Sequence, residues 1–453
     1  MMELSPRRTR PSRKGPAARQ IYLPILLPTM SDSDHRPTQP APRHATAAPG
    51  RPPLSGLRII EFSAFVAAPS CGLALAQLGA EVIRIDPIGG NIDAERLPVN
   101  AQGRSLYWAS LNHGKHSVEI NPRSAEGRRL MRELITAPGD GAGIFLTNLG
   151  VDGELSHESL AALRPDLITI QLTGSPDGAN AVDYTVNCAA GFPLVTGTGE
   201  RPVNHVLPAW DLLAGMTLAT AILAAERHRR LTGEGQKVSL TLADVAFAAT
   251  ANLGYVADVE VNGNQRAADG NFLYGAYGDA FLTRDGRHVM VVAISDRQWQ
   301  ALIRATDVHE GLQAAASALG YTLDSELARW NARELISAVL RPWFARRSLA
   351  EVSAALTDKA LLWGPYRTFA QMLSEDPRVS EANPMFRRIE HPGYGSFLTT
   401  ASPLAFSASE RAPAAPASTL GADTQAVLSR VLGQSPEQLH HLRAAGAIGG
   451  SAS

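Results

Sequence analysis

The stretch LRIIEFSAFVAAPSCGLALAQLGAEVIRID, residues 57–86, has the pattern of one β-α-β unit. The apolar runs LRIIEF (57–62) and EVIRID (81–86) are typical of buried strands. Between them, APSCGLALAQLGA (68–80) is typical of a helix that ends at a glycine. Because a helix connects the two strands, we expect them to lie parallel in one sheet.

The same alternation continues downstream of this unit. We predict further strands at 116–121, 143–149 and 167–174, with helices that begin at Ser124 and Ser156 between them, and one continuous apolar helix over 242–261. Strands that recur with helices between them indicate an α/β fold with a doubly wound parallel sheet.

Composition and charge exclude several classes of protein. Of the 453 residues, 45% are hydrophobic, which is enough for a sizeable core. Lys and Arg number 42 against 43 Asp and Glu, so the chain lacks the positive charge of a general nucleic-acid binder. The apolar run at 21–27 contains Pro24 and is too short to span a bilayer, so we expect no membrane association.

The two cysteines, Cys71 and Cys188, do not have the spacing of a zinc site or of a disulfide framework. We therefore expect no metal ion, and a location in the reducing cytoplasm. The turn after the first strand, residues 63–69, contains no glycine. A dinucleotide fingerprint needs glycines there, so NAD and FAD are disfavoured as cofactors.

Four segments of the chain differ in composition. Residues 1–54 contain 11 of the 30 prolines and are predicted to be a disordered tail. The strand-helix alternation covers 55–264, which we assign to a large domain. Residues 265–365 begin with a hairpin pattern around Asp285-Gly286, continue as mostly helical segments and form a predicted smaller α+β domain. Residues 366–445 return to the large domain.

Asp211 stands where we predict the long apolar helix DLLAGMTLATAILAAERHRRL to begin. Two roles fit this position. The carboxylate can cap the helix by accepting hydrogen bonds from first-turn amides. Alternatively, the positive helix end keeps it ionised while apolar neighbours remove water, which makes it a nucleophile toward an acyl carbon.

Three other polar residues are candidates for ligand binding or catalysis. His205, shortly before the helix, fits a general base, a ligand for a substrate carboxylate or a structural histidine. Lys115 and Arg123 flank the predicted strand at 116–121, where charge-assisted hydrogen bonds to phosphate groups are possible.

Five separated motifs together resemble the family III CoA-transferases, which include formyl-CoA transferase, carnitine CoA-transferase and alpha-methylacyl-CoA racemase. The motifs are the stretch 57–90, SLYWASLNHGKHSVEINPRSAEGRRLMREL (105–134), FLTNL (145–149), HRRLTGEGQKVSL (228–240) and WGPYRT (363–368). The resemblance covers about residues 55–440. It implies an interlocked homodimer, in which each subunit has a Rossmann-like large domain built from both chain ends and a small domain between them.

The resemblance also assigns roles to individual residues. Asp211 matches the aspartate that takes the acyl group in the transferases of the family. CoA is then part of the substrate, and no separate cofactor is implied. One departure is Pro87, which replaces the family's basic residue after the second strand. The positions that match CoA contacts are Val66 and Ala67 after the first strand, Ile120, Asn121 and Arg123 after the third, and Asn148 and Leu149 in the TNL motif.

The racemases of the family use a His-Asp pair together with the aspartate that matches Asp211. This chain has Val182-Asp183 at the position of that pair. Without the imidazole, one of the two acid/base groups for proton exchange at an alpha carbon is missing, so a transferase is favoured over a racemase.

Shorter motifs at 181–193, 202–211 and 270–278 are similar to a subgroup that moves CoA between the two carboxyl groups of one unsaturated diacid. The partner is then the acyl-CoA thioester of a small dicarboxylic acid; the alternative is transfer between an acyl-CoA and a separate free acid. Candidates for holding the free carboxylate are Asn187, Asn204 and His205. Candidate oxyanion donors are the amides of 66–68 or of the loop 270–278.

Overall fold

The computed structural model describes residues 50–357 and 359–450. The predicted disordered tail, residues 1–54, lies outside these residues except for its last five. In that short piece, the Leu54 amide donates to the Leu78 carbonyl at 2.9 Å and the Leu54 side chain packs on the apolar core. Leu54 therefore belongs to the fold, and the predicted boundary lies too late in the chain.

Six parallel strands form the central sheet. They are β1 (Arg58–Phe62), β2 (Glu81–Asp86), β3 (His116–Glu119), β4 (Ile144–Thr147), β5 (Ile168–Thr173) and β6 (Gln236–Thr241). Their order is β3-β2-β1-β4-β5-β6, which reverses direction between β1 and β4 as in doubly wound dinucleotide-binding folds. The prediction of a doubly wound α/β fold is confirmed.

Helices cover both faces of this sheet. Those before residue 265 are α1 (Ala67–Ala76), α2 (Leu106–Asn112), α3 (Ala125–Thr136), α4 (His157–Ala161), α5 (Asp183–Ala189), α6 (Phe192–Val195), α7 (Ala209–Thr232), α8 (Leu242–Asn252) and α9 (Tyr255–Asn262). Helices α1, α7 and α8 share one apolar core with one face of the sheet. The continuous helix predicted over 242–261 is wrong: Gly254, with φ of +83°, separates α8 from α9.

The opposite face of the sheet packs against α3 and the C-terminal part of the chain. Leu428 of α16 (Thr424–Leu432) and Leu439 of α17 (Pro436–Ala444) are buried in one core with Ile60 of β1 and Ile83 of β2. Both chain ends therefore contribute to the packing of the central sheet. Before α16 lie α15 (Phe369–Glu375) and the antiparallel pair β10 (Phe386–His391) and β11 (Gly395–Thr400).

A separate core forms between these two parts of the chain. It contains the antiparallel strands β7 (Tyr277–Leu282), β8 (His288–Ala293) and β9 (Leu362–Pro365), with α10 (Asp296–Thr306), α11 (His309–Ala318), α12 (Glu326–Asn331), α13 (Arg333–Ala345) and α14 (Leu349–Leu356). The predicted hairpin turn at Asp285-Gly286 joins β7 to β8. The domain boundaries at 264 and 365 stay predictions.

Charged side chains are buried within β1 and β2, which the apolar pattern alone does not indicate. Arg84 and Glu61 lie opposite each other in register, and their side chains form an ion pair at 3.3 Å. Glu61 also accepts from the Lys115 ammonium at 3.0 Å. Gly72 of α1 leaves room for this carboxylate, because a Cβ there would lie 1.7 Å from Glu61 Oε2.

Helix α7 is the one helix among the described residues that is long and apolar enough, by length and composition alone, to cross a membrane. A buried core helix meets the same criterion. Here Ala214, Leu218 and Ile222 of α7 are completely buried in the core that includes α1. One side of α7 thus packs within the fold, whereas Leu213, Met216 and Leu223 on the same helix are exposed.

Candidate active site

A cavity of about 900 Å³ opens where the strand order reverses between β1 and β4. Doubly wound folds bind their ligands at this point, outside the carboxyl ends of the strands. Most of the wall comes from segments at the ends of three strands and from the start of α7. These are residues 64–67 after β1, 148–149 after β4, 172–174 and 180–185 after β5, and Asp211.

Asp211 lies in the first turn of α7 and lines this cavity. Its helix approaches α1 closely, since a Cβ on Gly215 would lie 2.0 Å from the Ser70 hydroxyl oxygen. Burial, and then the negative charge of Asp183, raise the pKa of Asp211 from 3.8 to about 7. Once ionised, a partly desolvated carboxylate with this pKa is a better nucleophile than an exposed aspartate.

Asp183 caps helix α7 from a distant part of the chain. This buried residue begins α5, and its Oδ2 accepts from the amides of Trp210 at 2.8 Å and Asp211 at 3.2 Å. The capping role considered for Asp211 is therefore wrong, because α7 begins at Ala209 and Asp183 supplies the carboxylate. The expectation that the helix end keeps Asp211 ionised is also wrong. Asp183 takes those amides, and its charge favours the protonated form of Asp211.

The His205 ring bonds through Nε2 to Asp183 Oδ1. A His-Asp pair therefore exists, although its imidazole comes from residue 205 instead of residue 182. This corrects the argument that the chain lacks the imidazole of a racemase pair. The difference from a proton-exchange site is one of position: Asp183 lines the cavity, whereas His205 does not.

The two asparagines predicted to hold a substrate carboxylate bond to each other next to the start of α7. Asn187 is buried, accepts from Trp210 Nε1 at 3.1 Å and donates to the side chain of Asn204. Asn204 in turn accepts from the His205 amide at 3.0 Å. Neither asparagine lines the cavity, nor does His205. All three bond to one another, to Asp183 or to Trp210 at the start of α7. That they contact the substrate stays a prediction.

Four of the predicted CoA contacts come together at the cavity. Val66 and Ala67 line it from the start of α1, and Asn148 and Leu149 line it from the end of β4. The Asn148 side chain accepts from the Ala64 amide at 2.9 Å and donates to the Ala64 carbonyl at 2.8 Å. These two hydrogen bonds connect the loop after β4 to the loop after β1. That these residues contact CoA stays a prediction.

The three predicted CoA contacts after β3 lie away from this cavity. Ile120 is completely buried and pairs with Ile448 in an antiparallel bridge. The Asn121 amide donates to the Ala447 carbonyl at 2.9 Å, and Arg123 is exposed. The C-terminal segment thus occupies the backbone groups at the end of β3. The Ile120 side chain is enclosed by this packing, and contact of Ile120, Asn121 and Arg123 with CoA stays a prediction.

Lys115 cannot bind phosphate in this structure, which corrects that prediction. Its ammonium is buried and donates to Glu61, to the Pro69 carbonyl at 2.8 Å and to Asn112 Oδ1 at 2.8 Å. Burial lowers the pKa of Lys115 to about 8, although Glu61 opposes this change. Its role is to neutralise a buried carboxylate.

Sequence reasoning missed two cavity residues, Arg96 and Tyr107. Burial raises the pKa of Tyr107 to about 12; the charge of Arg96 opposes this change, and that of Asp211 adds to it. The hydroxyl therefore stays protonated and lies within electrostatic reach of Asp211. Tyr107 lies in α2 and within the motif 105–134, but that motif did not distinguish it from its neighbours as a cavity residue.

No cluster of three or more His, Cys, Asp or Glu side chains that could hold a metal ion occurs in the described ranges 50–357 and 359–450. Both cysteines are free thiols; Cys71 is buried and Cys188 is exposed.

Comparison with known proteins identifies relatives over most of the chain. The model of CoA-transferase family III matches residues 54–424. The chain is 48% identical to 2-methylfumaryl-CoA isomerase of Chloroflexus aurantiacus, over 88% of this chain and 98% of that protein. It is 30% identical to succinate–glutarate CoA-transferase of Agrobacterium fabrum, over 64% and 78% of the two chains. A CAIB/BAIF family protein from Brucella suis has the same fold, with a TM-score of 0.70, 23% identity, and coverage of 84% and 100%.

Proposed function

This chain belongs to CoA-transferase family III, and from that premise we propose that it moves CoA between the two carboxyl groups of one dicarboxylic acid, 2-methylfumarate (mesaconate). The observation that carries the mechanism is Asp211 in the cavity wall with a pKa of about 7. The name of the 48% identical relative, 2-methylfumaryl-CoA isomerase, supports the choice of substrate.

In the first half of the reaction, ionised Asp211 attacks the thioester carbonyl of 2-methylfumaryl-CoA. The carbon–sulfur bond breaks, which leaves a mixed anhydride on Asp211 and a CoA thiolate. The thiolate then attacks the aspartyl carbonyl of the anhydride. The products are an Asp211–CoA thioester and free 2-methylfumarate, both still bound.

In the second half, the other carboxylate of the bound acid attacks the Asp211–CoA thioester. The released thiolate attacks the acyl carbonyl of the new anhydride, so CoA ends on the second carboxyl group and Asp211 is regenerated. Because both fragments stay in the cavity, no second acid has to be captured from solution.

Backbone amides at the start of α1 are the proposed oxyanion donors. The amides of Ala64 and Phe65 are occupied, since they donate to Asn148 at 2.9 Å and to Asp93 at 2.9 Å. Val66 and Ala67 line the cavity at the N-terminal end of α1, where first-turn amides have no partner within the helix. Such donors stabilise a tetrahedral oxyanion by roughly 3–4 kcal/mol each.

An exchange test separates the intramolecular reaction from transfer to a second acid. The protein is incubated with unlabelled 2-methylfumaryl-CoA and an excess of ¹³C-labelled mesaconate. The CoA esters are then separated by chromatography, and their masses are measured by mass spectrometry. We expect a second ester of equal mass without label. Label in the product, or conversion only when a free acid is added, would contradict the intramolecular reaction.

Transfer to a separate acid is the second candidate function. Its support is the names of other relatives, such as succinyl-CoA:mesaconate CoA-transferase of Haloarcula marismortui, which is 26% identical over 77% of this chain. Racemisation is a weaker candidate because His205 lies outside the cavity. Running the same incubation in deuterated water with a 2-methylacyl-CoA tests it, since racemisation incorporates deuterium at the alpha carbon.

We also propose that the chain forms an intertwined homodimer. Helix α9 has no buried residue, and its Val259 and Val261 are 52% and 80% exposed. Phe369 of α15 is 85% exposed. A partner copy would cover apolar side chains that water otherwise contacts. Light scattering after size-exclusion chromatography tests this, and a monomer at working concentration would contradict it.

We also propose that the protein is located in the cytoplasm. The proposed reaction needs no cofactor besides the CoA of the substrate.

A further inference from the structure

Arg96 is the one cationic side chain among the described residues that line the cavity. Asp183 and Asp211 line the same cavity. Within residues 50–357 and 359–450, Arg96 takes part in no ion pair with a carboxylate. An arginine beside a cavity, with its charge unpaired, can bind the charge of a ligand.

The structure holds the backbone of Arg96 from both sides. Its amide donates to the Asp93 carbonyl at 3.2 Å, and its carbonyl accepts from the Ser105 hydroxyl at 2.6 Å. Asp93 is itself buried, pairs with Arg84 at 3.4 Å and accepts from the Phe65 amide. The backbone at Arg96 is therefore tied to the loop after β1, which forms part of the cavity wall.

Two aromatic rings position the Arg96 side chain. The guanidinium carbon lies 5.7 Å from the centroid of the Phe65 ring and 5.5 Å from that of the Tyr107 ring. Both distances are within the range of cation–π attraction. The same contacts place the guanidinium beside Tyr107, which lies within electrostatic reach of Asp211.

We propose that Arg96, together with the Tyr107 hydroxyl, is a carboxylate subsite that binds the free carboxylate of the acyl group while Asp211 reacts with the other end. This inference rests on the proposed function and names its specificity-determining residue. A guanidinium binds a carboxylate through two parallel hydrogen bonds, and the hydroxyl supplies a further donor. The positive charge of Arg96 also offsets the electrostatic repulsion between a dicarboxylate substrate and the carboxylates of Asp183 and Asp211.

The substrate class follows from this placement. Acyl-CoA esters with a second carboxylate fit the subsite, whereas esters of monocarboxylic acids leave the arginine without an anion. The competing assignment is that Arg96 contacts a phosphate group of CoA, which all CoA esters share. The two assignments differ in whether loss of the arginine affects all esters or only those with a second carboxylate.

The test compares succinyl-CoA with butyryl-CoA, which carries a methyl group in place of the free carboxylate. Binding is measured by calorimetry in the Asp211→Asn variant, where no turnover interferes. We expect succinyl-CoA to bind more tightly, and Arg96→Gln to weaken its binding roughly 10- to 100-fold while butyryl-CoA changes about twofold or less. Arg96→Lys keeps the charge but loses the planar fork, so it should retain part of the preference. The matched control is Arg304→Gln, an exposed arginine of α10.

Each other outcome is decisive. Equal weakening of both esters would assign Arg96 to CoA phosphate and overturn the subsite, and so would unchanged binding of both. If the preference depends on Arg96 but the unmodified protein converts no 2-methylfumaryl-CoA, the subsite stands and the proposed reaction fails. Circular dichroism establishes that each variant is folded before binding is measured.

Discussion

Asp183→Asn is the substitution that most sharply tests how the structure sets the ionisation of Asp211. The pKa of about 7 at Asp211 has two causes, burial and the charge of Asp183, and burial is the larger. Asparagine removes the charge but keeps an oxygen that accepts from the amides of Trp210 and Asp211. Helix α7 should therefore remain capped while the electrostatic repulsion disappears.

The expected change in the pKa of Asp211 can be bounded because burial contributes more to the raised pKa than the charge of Asp183 does. The pKa of Asp211 lies about three pH units above its ordinary value of 3.8. Since Asp183 supplies the smaller share, its removal should lower the pKa by less than half of that interval, to between about 5.5 and 7. Activity that needs ionised Asp211 rises with pH through this pKa, so the midpoint of the rise should move to lower pH.

The assay is the pH dependence of kcat/KM for isomerisation, from pH 5 to 9. The unmodified protein should show a rise with its midpoint near 7, and Asp183→Asn a midpoint below that. Asp183→Ala removes the cap as well, so it should add a loss of thermal stability of about 1 kcal/mol that the asparagine variant does not show. The control is Glu310→Gln, an exposed glutamate of α11. An unchanged or raised midpoint in Asp183→Asn would refute the reasoning.

Three further outcomes are expected. Gly72→Ala should destabilise the fold by about 3–5 kcal/mol in thermal unfolding, because the new Cβ displaces the Glu61 carboxylate from its buried ion pair. Burial, and then charge from His391 and Lys115, lower the pKa of His113 to about 4, below the unfolded value of 6.5. The unfolded chain therefore binds the proton first, and stability should fall by up to roughly 3 kcal/mol as pH drops from 6.5 to 4, a loss that His113→Asn should reduce. Asn148→Ala should raise KM, because the loops after β1 and β4 lose two hydrogen bonds.

Matched controls separate these effects from general disruption. Gly311 of α11 has nothing within 4 Å of its added Cβ, so Gly311→Ala should leave stability unchanged or slightly higher. His440→Gln and Asn331→Ala change exposed residues and should leave acid stability and KM unaltered. Full stability in Gly72→Ala, an unchanged acid profile in His113→Asn or an unchanged KM in Asn148→Ala would each contradict the corresponding argument.

The regular part of the fold could be predicted because its signals are local. Strand β2 occupies 81–86 as predicted. The glycine at 79 precedes this apolar run and the proline at 87 follows it, so both ends of the strand are marked in the sequence. Helix α3 begins at Ala125, one residue after the predicted start at Ser124, and the Ser124 hydroxyl caps it by accepting from the Gly127 amide at 2.9 Å. Gly254 was missed because one glycine within an apolar helical pattern is also compatible with a continuous helix.

The site itself was predictable only in part. Asp211 was found because it stands at the start of a long apolar helix. Its partner Asp183 lies 28 positions earlier, and no sequence periodicity shows that its carboxylate reaches the amides of α7. Lys115 was misassigned for a similar reason: a lysine at a strand end has the same pattern whether it reaches solvent or, as here, a buried glutamate. Such contacts arise only from the packing of distant segments.

The central claim is that Asp211 carries CoA during turnover. The direct measurement is to mix the protein with 2-methylfumaryl-CoA, quench with borohydride, digest, and identify the modified peptide by mass spectrometry. The account predicts that the Asp211 side chain is reduced to an alcohol, because borohydride reduces an aspartyl thioester but leaves a free carboxylate unchanged. It also predicts that Asp211→Asn shows neither modification nor turnover. Modification of another residue, or undiminished turnover in Asp211→Asn, would contradict the account.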